Sequence, residues 1–137
     1  MTLSLEDRLA ITELIALHGH LVDDGALDRL AEVFTADVVY DLSDFGQGTL
    51  TGPDAIREAA LAHGAANPVA HHVTNVVVER PDGGEVRVRS KGIGVRADGS
   101  CGSVTYEDTV VRVGGSWRIA HRSVLARRVP LGGAGQG

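Results

Sequence analysis

The sequence predicts a single α+β domain in which amino-terminal helices pack on a curved antiparallel sheet. Apolar residues recur at helical spacing in the first half of the chain, and from Pro68 onward the spacing becomes that of strands. Three glycine-containing turns divide this second half into four extended runs. The chain has 137 residues, the usual length of one domain, so we expect one domain over residues 1–130 and a flexible glycine-rich tail over residues 131–137.

Three helices are expected ahead of the main sheet. Ser4 and Asp7 resemble a helix-capping pair, and the helical spacing that follows predicts a first helix over residues 5–22. A shorter second helix is expected over residues 27–34. A proline at a first helical position then begins a third helix, over residues 53–63.

Five strands are expected around these helices. A short strand covers residues 38–42 and a loop covers residues 46–51. The four later strands cover approximately residues 69–80, 85–96, 101–113 and 116–127. A sheet with one apolar face must bury that face, and the helices are the elements able to cover it. A cavity between sheet and helices would then hold a small molecule.

Composition and charge argue against several classes of partner. The formal net charge is −5 and the 13 basic residues are scattered, so a nucleic-acid surface is not expected. No apolar run approaches the roughly 18 residues of a membrane span. The amino terminus lacks the pattern of a secretory signal, and the lone Cys101 cannot form an internal disulfide. We therefore expect a cytoplasmic protein.

Five short segments follow one another in a recognisable order. They are Asp7–Ile11, Val22–Asp24 followed by Leu30–Phe34, Leu50–Ile56, His71–Asn75 and Trp117–Arg122. Together they resemble the SnoaL-like branch of the nuclear-transport-factor-two-like superfamily, which includes polyketide cyclases, scytalone dehydratase and bile-acid dehydratase. The resemblance implies a cone-shaped fold of element order αα-β-α-ββββ, often a homodimer, with an enclosed pocket and frequently no cofactor, and we expect none here.

The resemblance also implies a pair of catalytic residues. In the dehydratases of this branch, an Asp at the end of the first helix pairs with a His after the third helix, and the matching residues are Asp23 and His71. A buried His oriented by a carboxylate can remove a proton and return it elsewhere. The bile-acid type has a Tyr where His18 stands, and a further titratable residue of the family has no counterpart within residues 92–96.

Four other side chains are candidates for the pocket or the core. His18 lies on the apolar face of the first helix and is either a donor in the pocket or a core histidine. His72 faces away from His71 in a regular strand, and would take its role if the strand had the other phase. Tyr106 and Asp108 share a strand face, and Tyr106 either donates to a substrate oxygen or fills the core.

The remaining candidates have weaker signals. Tyr40 and Val22 are candidates to contact a substrate, although Tyr40 also suits a packing role. His121 alternates in phase with Trp117 and Ile119, which predicts a buried structural histidine. No two histidines have the helical four-residue spacing of a zinc site, so no metal is expected.

These residues predict a cofactor-independent acid/base enzyme that acts on a small, mostly apolar cyclic or polyketide-like metabolite. Removal of a proton beside a carbonyl would lead to cyclisation, isomerisation or loss of water. The main alternative is a non-catalytic ligand carrier or a subunit resembling the small subunits of ring-hydroxylating dioxygenases. A pocket without polar contact between Asp23 and either His71 or His72 would favour it. A third alternative, an epoxide hydrolase, needs a water held between carboxylates, for which Asp23 alone is insufficient.

Overall fold

The computed structural model describes residues 2–135 and shows helices packed on a curved, open sheet of six strands. The elements are α1 (Leu5–Asp23), a 3-10 helix (Leu27–Glu32), β1 (Phe34–Asp41), β2 (Thr49–Thr51), α2 (Pro53–His63), β3 (Ala70–Glu79), β4 (Val86–Val95), β5 (Cys101–Val113) and β6 (Ser116–Ala126). The predicted fold class is confirmed. No helix in this part of the chain is both long enough and apolar enough to cross a membrane.

The sheet has the order β2-β1-β6-β5-β4-β3. The pairing of β1 with β6 is parallel, and the other four pairings are antiparallel. Helix α1 lies across β3, whereas α2 lies over β1 and β2. This arrangement leaves the apolar core between α1 and the sheet. It also leaves an opening between α2 and the edge of the sheet where β4 and β6 end and β5 begins.

Helix α1 begins and ends as its sequence predicts. The Ser4 hydroxyl accepts a hydrogen bond from the backbone N–H of Asp7 at 3.0 Å, which satisfies one of the free donors at the helix start. The inward face buries Ile11, Ile15 and Leu21. Gly25, in the left-handed conformation with φ of 70°, follows the end of the helix.

The segment between α1 and α2 differs from the prediction in two respects. The second helix is a single 3-10 segment, because β1 already begins at Phe34, where it pairs with Ile119 of β6. Residues 49–51, predicted as loop, form β2 and pair with β1 through Val39 and Thr51.

Of the predicted tail, residues 131–133 belong to a 3-10 helix (Pro130–Gly133), and residues 136–137 lie outside the described part of the chain.

Strand β6 contains a bulge that changes which side chains face the core. Val110 of β5 pairs with Ile119, but Thr109 pairs with His121, so Ala120 is an extra residue on β6. Two residues that point inward, Ile119 and Arg122, are therefore separated by three positions instead of two or four. The prediction that His121 is buried with Ile119 is wrong for this reason: His121 lines the sheet face remote from the helices.

Strand β3 contains a second bulge. Thr74 pairs with Lys91 and Val77 with Arg89, which leaves one extra residue on β3. Asn75 takes a left-handed conformation there, with φ of 58°, which Asn tolerates better than most residues. The bulge shifts by one residue the set of β3 side chains that point inward. His71, which precedes the bulge, therefore faces the opening, whereas the inward side chains after the bulge pack on the core.

The start of α1 is tied to the far end of the sheet through Asp7. Its Oδ1 accepts hydrogen bonds from Arg112 Nη2 at 2.5 Å and Trp117 Nε1 at 3.2 Å. These two donors hold the pKa of the Asp7 carboxyl at about 2, well below its ordinary value. A carboxyl whose pKa is lower in the folded state stabilises the fold above its unfolded pKa and ceases to do so as pH falls toward its folded pKa.

We expect Asp7→Asn to lower the melting temperature at neutral pH, because the variant loses the charge that Arg112 contacts. The difference from wild type should be constant above about pH 5, shrink as pH falls toward about 2 and be smallest below that pH, where Asp7 is protonated in both states. Thermal denaturation followed by circular dichroism across this range measures it. Glu6→Gln, in the same turn of α1, is the control and should show no such window; a pH-independent difference for Asp7→Asn would contradict the prediction.

Candidate active site

The opening between α2 and the sheet is a cavity of about 520 Å³ that continues into an inner pocket of about 200 Å³. The two share the lining residues Tyr40, Leu42, Gln47, His63 and His71. Tyr106 lines the larger part, which we call the main cavity, and His18 and Val22 line the inner pocket. A cavity of this size suits a small organic molecule.

Asp23 and His71 meet at the wall of this cavity. His71 Nδ1 lies 2.6 Å from Asp23 Oδ1, and the backbone N–H of His71 donates to Asp23 Oδ2 at 2.8 Å. Both carboxylate oxygens are therefore engaged by one residue, which fixes the carboxylate relative to the imidazole. The side chains of His71 and Asp23 are 18% and 20% exposed, so a molecule in the cavity can reach the imidazole.

This geometry determines which nitrogen of His71 carries the proton. An ionised carboxylate can only accept hydrogen bonds, so Nδ1 is the protonated nitrogen of the neutral ring. Nε2 then holds the free lone pair and is the atom able to take a proton from a bound molecule. The carboxylate would stabilise the cationic imidazolium that results.

The contact depends on a close approach of α1 to β3 at Gly19. A Cβ atom on Gly19 would lie 3.0 Å from the carbonyl oxygen of His71 and 3.5 Å from its Cβ. Gly19 and Asp23 are one helical turn apart and lie on the same side of α1. The absence of a side chain at Gly19 therefore allows the end of the helix to bring Asp23 to His71.

Beneath the cavity lies a buried ion pair. Arg122 donates from Nε to Asp108 Oδ1 at 2.7 Å and from Nη2 to Asp108 Oδ2 at 2.9 Å, and neither side chain has any exposed surface. Arg122 also donates from Nη1 to His18 Nδ1 at 2.9 Å. Its guanidinium carbon lies 4.2 Å from the centre of the Tyr106 ring. These contacts give the Arg122 guanidinium a counter-ion and hydrogen-bond acceptors, without which burial of its charge would cost much free energy.

The bond from Arg122 fixes the state of His18. Arginine is always a donor, so His18 Nδ1 must accept and the proton of the neutral ring lies on Nε2. Burial, and then the charge of Arg122, hold the pKa of His18 well below its ordinary value. His18 is thus a neutral donor at the inner pocket, whereas His71 offers an acceptor.

Tyr106 fills space that a glycine leaves open on the neighbouring strand. A Cβ on Gly92 would lie 2.5 Å from Tyr106 Cε2 and 2.9 Å from its hydroxyl oxygen. The ring therefore lies across β4 at the stretch where the sequence lacks the titratable residue of the family. Burial raises the pKa of the Tyr106 phenol, so it is protonated and able to donate.

The other predicted pocket residues fall into two groups. Tyr40 and Val22 line the cavity, and burial raises the pKa of the Tyr40 phenol. His72 does not line it: it is exposed on the opposite face of β3, because adjacent strand residues alternate. Asp108 is not a lining residue of the cavity either, since both of its carboxylate oxygens are bound by Arg122.

Three residues of the site were not among the sequence candidates. Arg122 appeared only within a family segment, and its inward position results from the bulge at Ala120. His63 lines the cavity from the end of α2. One feature of the sequence could have identified Gly19: it is a glycine inside a predicted helix, and such a glycine often marks close packing.

Comparison with known proteins identifies the family. The sequence model of the SnoaL-like domain family matches residues 3–123 of this chain. The chain belongs to the SnoaL-like domain family. No curated protein matches this SnoaL-like chain.

Solved structures agree with this SnoaL-like assignment. A candidate aromatic ring hydroxylase from Novosphingobium aromaticivorans is 31% identical, with a TM-score of 0.76 over 93% of this chain and 94% of that one. An NTF2-like protein with a cystatin-like fold from the same organism is 27% identical, with a TM-score of 0.78 over 93% and 86%. A candidate scytalone dehydratase, also from that organism, is 22% identical, with a TM-score of 0.73 over 90% and 86%, which shows a shared fold.

We expect Gly19→Leu to lower the free energy of unfolding by about 3 kcal/mol, because a side chain there must push α1 away from the backbone of His71. Urea unfolding measures the effect. The control is Ala16→Leu, which adds the same side chain to an exposed position of the same helix and should change stability little. Equal costs for the two variants would show that the close approach is unimportant.

We expect Arg122→Met to lower the free energy of unfolding by about 3–5 kcal/mol, since it leaves the Asp108 carboxylate buried without a partner. The double variant Arg122→Met/Asp108→Leu removes both charges and should recover much of that loss. Arg29→Gln, which breaks an exposed ion pair with Glu32, is the control and should have little effect. A double variant no more stable than Arg122→Met would argue against this account.

Proposed function

We propose that this SnoaL-like protein is a cofactor-independent acid/base enzyme, a lyase or isomerase, that acts on a small and mostly apolar cyclic or polyketide-like metabolite. The observation that carries the proposal is the contact of Asp23 with His71 at the cavity wall. The family assignment and the neighbour described as a candidate scytalone dehydratase support the same class of reaction.

The first step would be removal of a proton from a carbon beside a carbonyl group. His71 Nε2 takes the proton, and the electron pair of the broken C–H bond moves onto the carbonyl oxygen, which becomes an enolate. The His71 ring becomes an imidazolium, whose charge the Asp23 carboxylate stabilises. Stabilisation of this kind grows as water is excluded, and the His71 and Asp23 side chains are only 18% and 20% exposed.

The enolate oxygen would need a hydrogen-bond donor. Tyr106, protonated and lying at the cavity wall, supplies an O–H. His18, with its proton on Nε2, supplies a second donor at the inner pocket. Donors fixed before the reaction stabilise developing negative charge without having to reorganise.

The fate of the enolate decides the overall reaction. Return of the proton from His71 to another carbon gives an isomer. Its transfer to a departing hydroxyl group gives a dehydrated product and water. Attack of the enolate carbon on a second carbonyl, with the proton passing to the new alkoxide, closes a ring. All three outcomes share the first step, so one experiment tests them together.

A second candidate is a non-catalytic module, either a ligand carrier or a subunit of a ring-hydroxylating enzyme. The neighbour described as a candidate aromatic ring hydroxylase favours it. The contact between Asp23 and His71 argues the other way, because a carrier needs no oriented base. A carrier would bind a cyclic ketone without accelerating proton exchange, and this difference separates the two candidates.

The test uses exchange of the α-protons of 2-tetralone in deuterated water, followed by proton NMR. We expect the wild-type protein to accelerate exchange, and His71→Ala and Asp23→Asn each to lower the protein-dependent rate by about a hundredfold or more. The matched control is His72→Ala, since His72 lies next in the chain but on the opposite face of β3.

Three results would contradict the proposal. The first is a wild-type rate no greater than that of heat-denatured protein with 2-tetralone and with its isomer 1-tetralone. The second is an undiminished rate in His71→Ala. The third is an equal loss in His72→Ala, which would show that the orientation of His71 is irrelevant.

A further inference from the structure

We propose that the mouth of the main cavity is a subsite for a carboxylate of the substrate, formed by Arg96 and Arg127. This inference rests on the proposed function, because it concerns the same cavity. It narrows the substrate to a small apolar ring acid. Both arginines line the main cavity, at the end of the sheet where β4 and β6 finish.

The two arginines flank one segment of β5. The Nη2 atom of Arg96 lies 4.0 Å from the position that a Cβ on Gly102 would occupy. The backbone N–H of Arg127 donates to the carbonyl oxygen of Ser103 at 3.0 Å. The strands on either side of β5 are about 10 Å apart, a distance that two long guanidinium side chains can close around a carboxylate.

The charges of these arginines are available to a ligand. Within residues 2–135, neither takes part in an ion pair; Arg96 makes only a long contact of 3.4 Å from Nη1 to Ser100 Oγ, with Asp98 nearby in the same turn. Arg128 differs, because Asp44 accepts from its Nη1 at 3.2 Å. Arg96 and Arg127, which both line the main cavity, therefore have no ion-pair partner among residues 2–135.

The lining of the main cavity is positive although the chain is acidic. Its described lining residues include Arg96 and Arg127 but neither Asp nor Glu; Asp23, the carboxylate nearest to it, is bound to His71 away from the mouth, and the whole chain has a formal net charge of −5. A cleft lined by charge of one sign attracts ligands of the other sign. An anionic group is thus the expected complement of this rim.

Much of the remaining wall is apolar, although Gln47, Ser103 and the two tyrosines also line it. The apolar part is formed by Leu42, Phe45, Pro68, Val104, Val124 and Ala126. A ligand that fits both parts has an apolar ring body and one anionic group. Among the described residues, the lining contains no N-terminus of an α-helix, the feature that phosphate groups commonly use, so we assign the anion as a carboxylate.

A carboxylate at this mouth would also orient the substrate. With its acid group held by Arg96 and Arg127, the ring body extends along the apolar wall toward His71 and Tyr106. Charged groups at the edge of a binding site contribute chiefly to orientation and rate of association. The subsite would therefore determine which carbon of the ring is presented to the base.

The experiment compares 2-naphthoate with 2-naphthamide, which have the same ring body and differ in charge, by isothermal titration calorimetry at low ionic strength. We expect wild-type protein to bind 2-naphthoate about tenfold more tightly than the amide. The double variant Arg96→Gln/Arg127→Gln should lose this preference and bind 2-naphthamide as wild type does. Arg87→Gln, on the sheet face remote from the cavity, removes the same charge and should keep the preference.

The outcomes separate this inference from the catalytic proposal. A preference of wild type for 2-naphthoate that the double variant loses would support the subsite even if His71→Ala left proton exchange unchanged. Equal affinity of wild type for the two probes, no binding of 2-naphthoate at millimolar concentration, or a preference that survives in the double variant overturns the subsite. Loss of proton exchange in His71→Ala together with any of these results would leave the acid/base proposal standing.

Discussion

A guanidinium group can leave water only where its N–H donors find acceptors, and Arg122 lies inside the sheet with no exposed surface. Asp108 supplies two acceptors and His18 supplies a third, while the ring of Tyr106 covers one face of the guanidinium. The needs of one buried charge thus fix the tautomer of His18 and the position of Tyr106. Both side chains lie at the cavity as a consequence of packing beneath it.

The two histidines of the cavity acquire different roles from their surroundings. His71 is partly exposed and its Nδ1 donates to a carboxylate, so the free nitrogen is an acceptor. His18 is buried and its Nδ1 accepts from a cation, so the free nitrogen is a donor. A positive charge on His71 further disfavours protonation of His18. Environments that separate the protonation states of two titratable groups are typical of acid/base sites.

The sequence was sufficient to predict most of the fold and the contact of Asp23 with His71. Capping residues, helical spacing and glycine turns are local signals, and the family segments placed Asp23 and His71. The sequence was insufficient where a bulge adds one residue to a strand relative to its partner strand. Simple alternation puts His121 inside and Arg122 outside, and the extra residue Ala120 exchanges them. Such bulges depend on pairing with a partner strand, which no single segment reveals.

Glycines in the cavity wall explain why matching this sequence to the family position by position did not find every side chain of the site. Three inward-facing positions of β4 and β5 carry no side chain, namely Gly92, Gly94 and Gly102. Each is approached by a residue from elsewhere: the Tyr106 ring, Pro68 Cγ at 3.1 Å, and Arg96 Nη2 at 4.0 Å. The side chain present at each of these points therefore belongs to a neighbouring residue and not to the glycine itself. Because the glycines leave this space, Tyr106 can present its hydroxyl on β4 and Arg96 can reach across to the edge of β5.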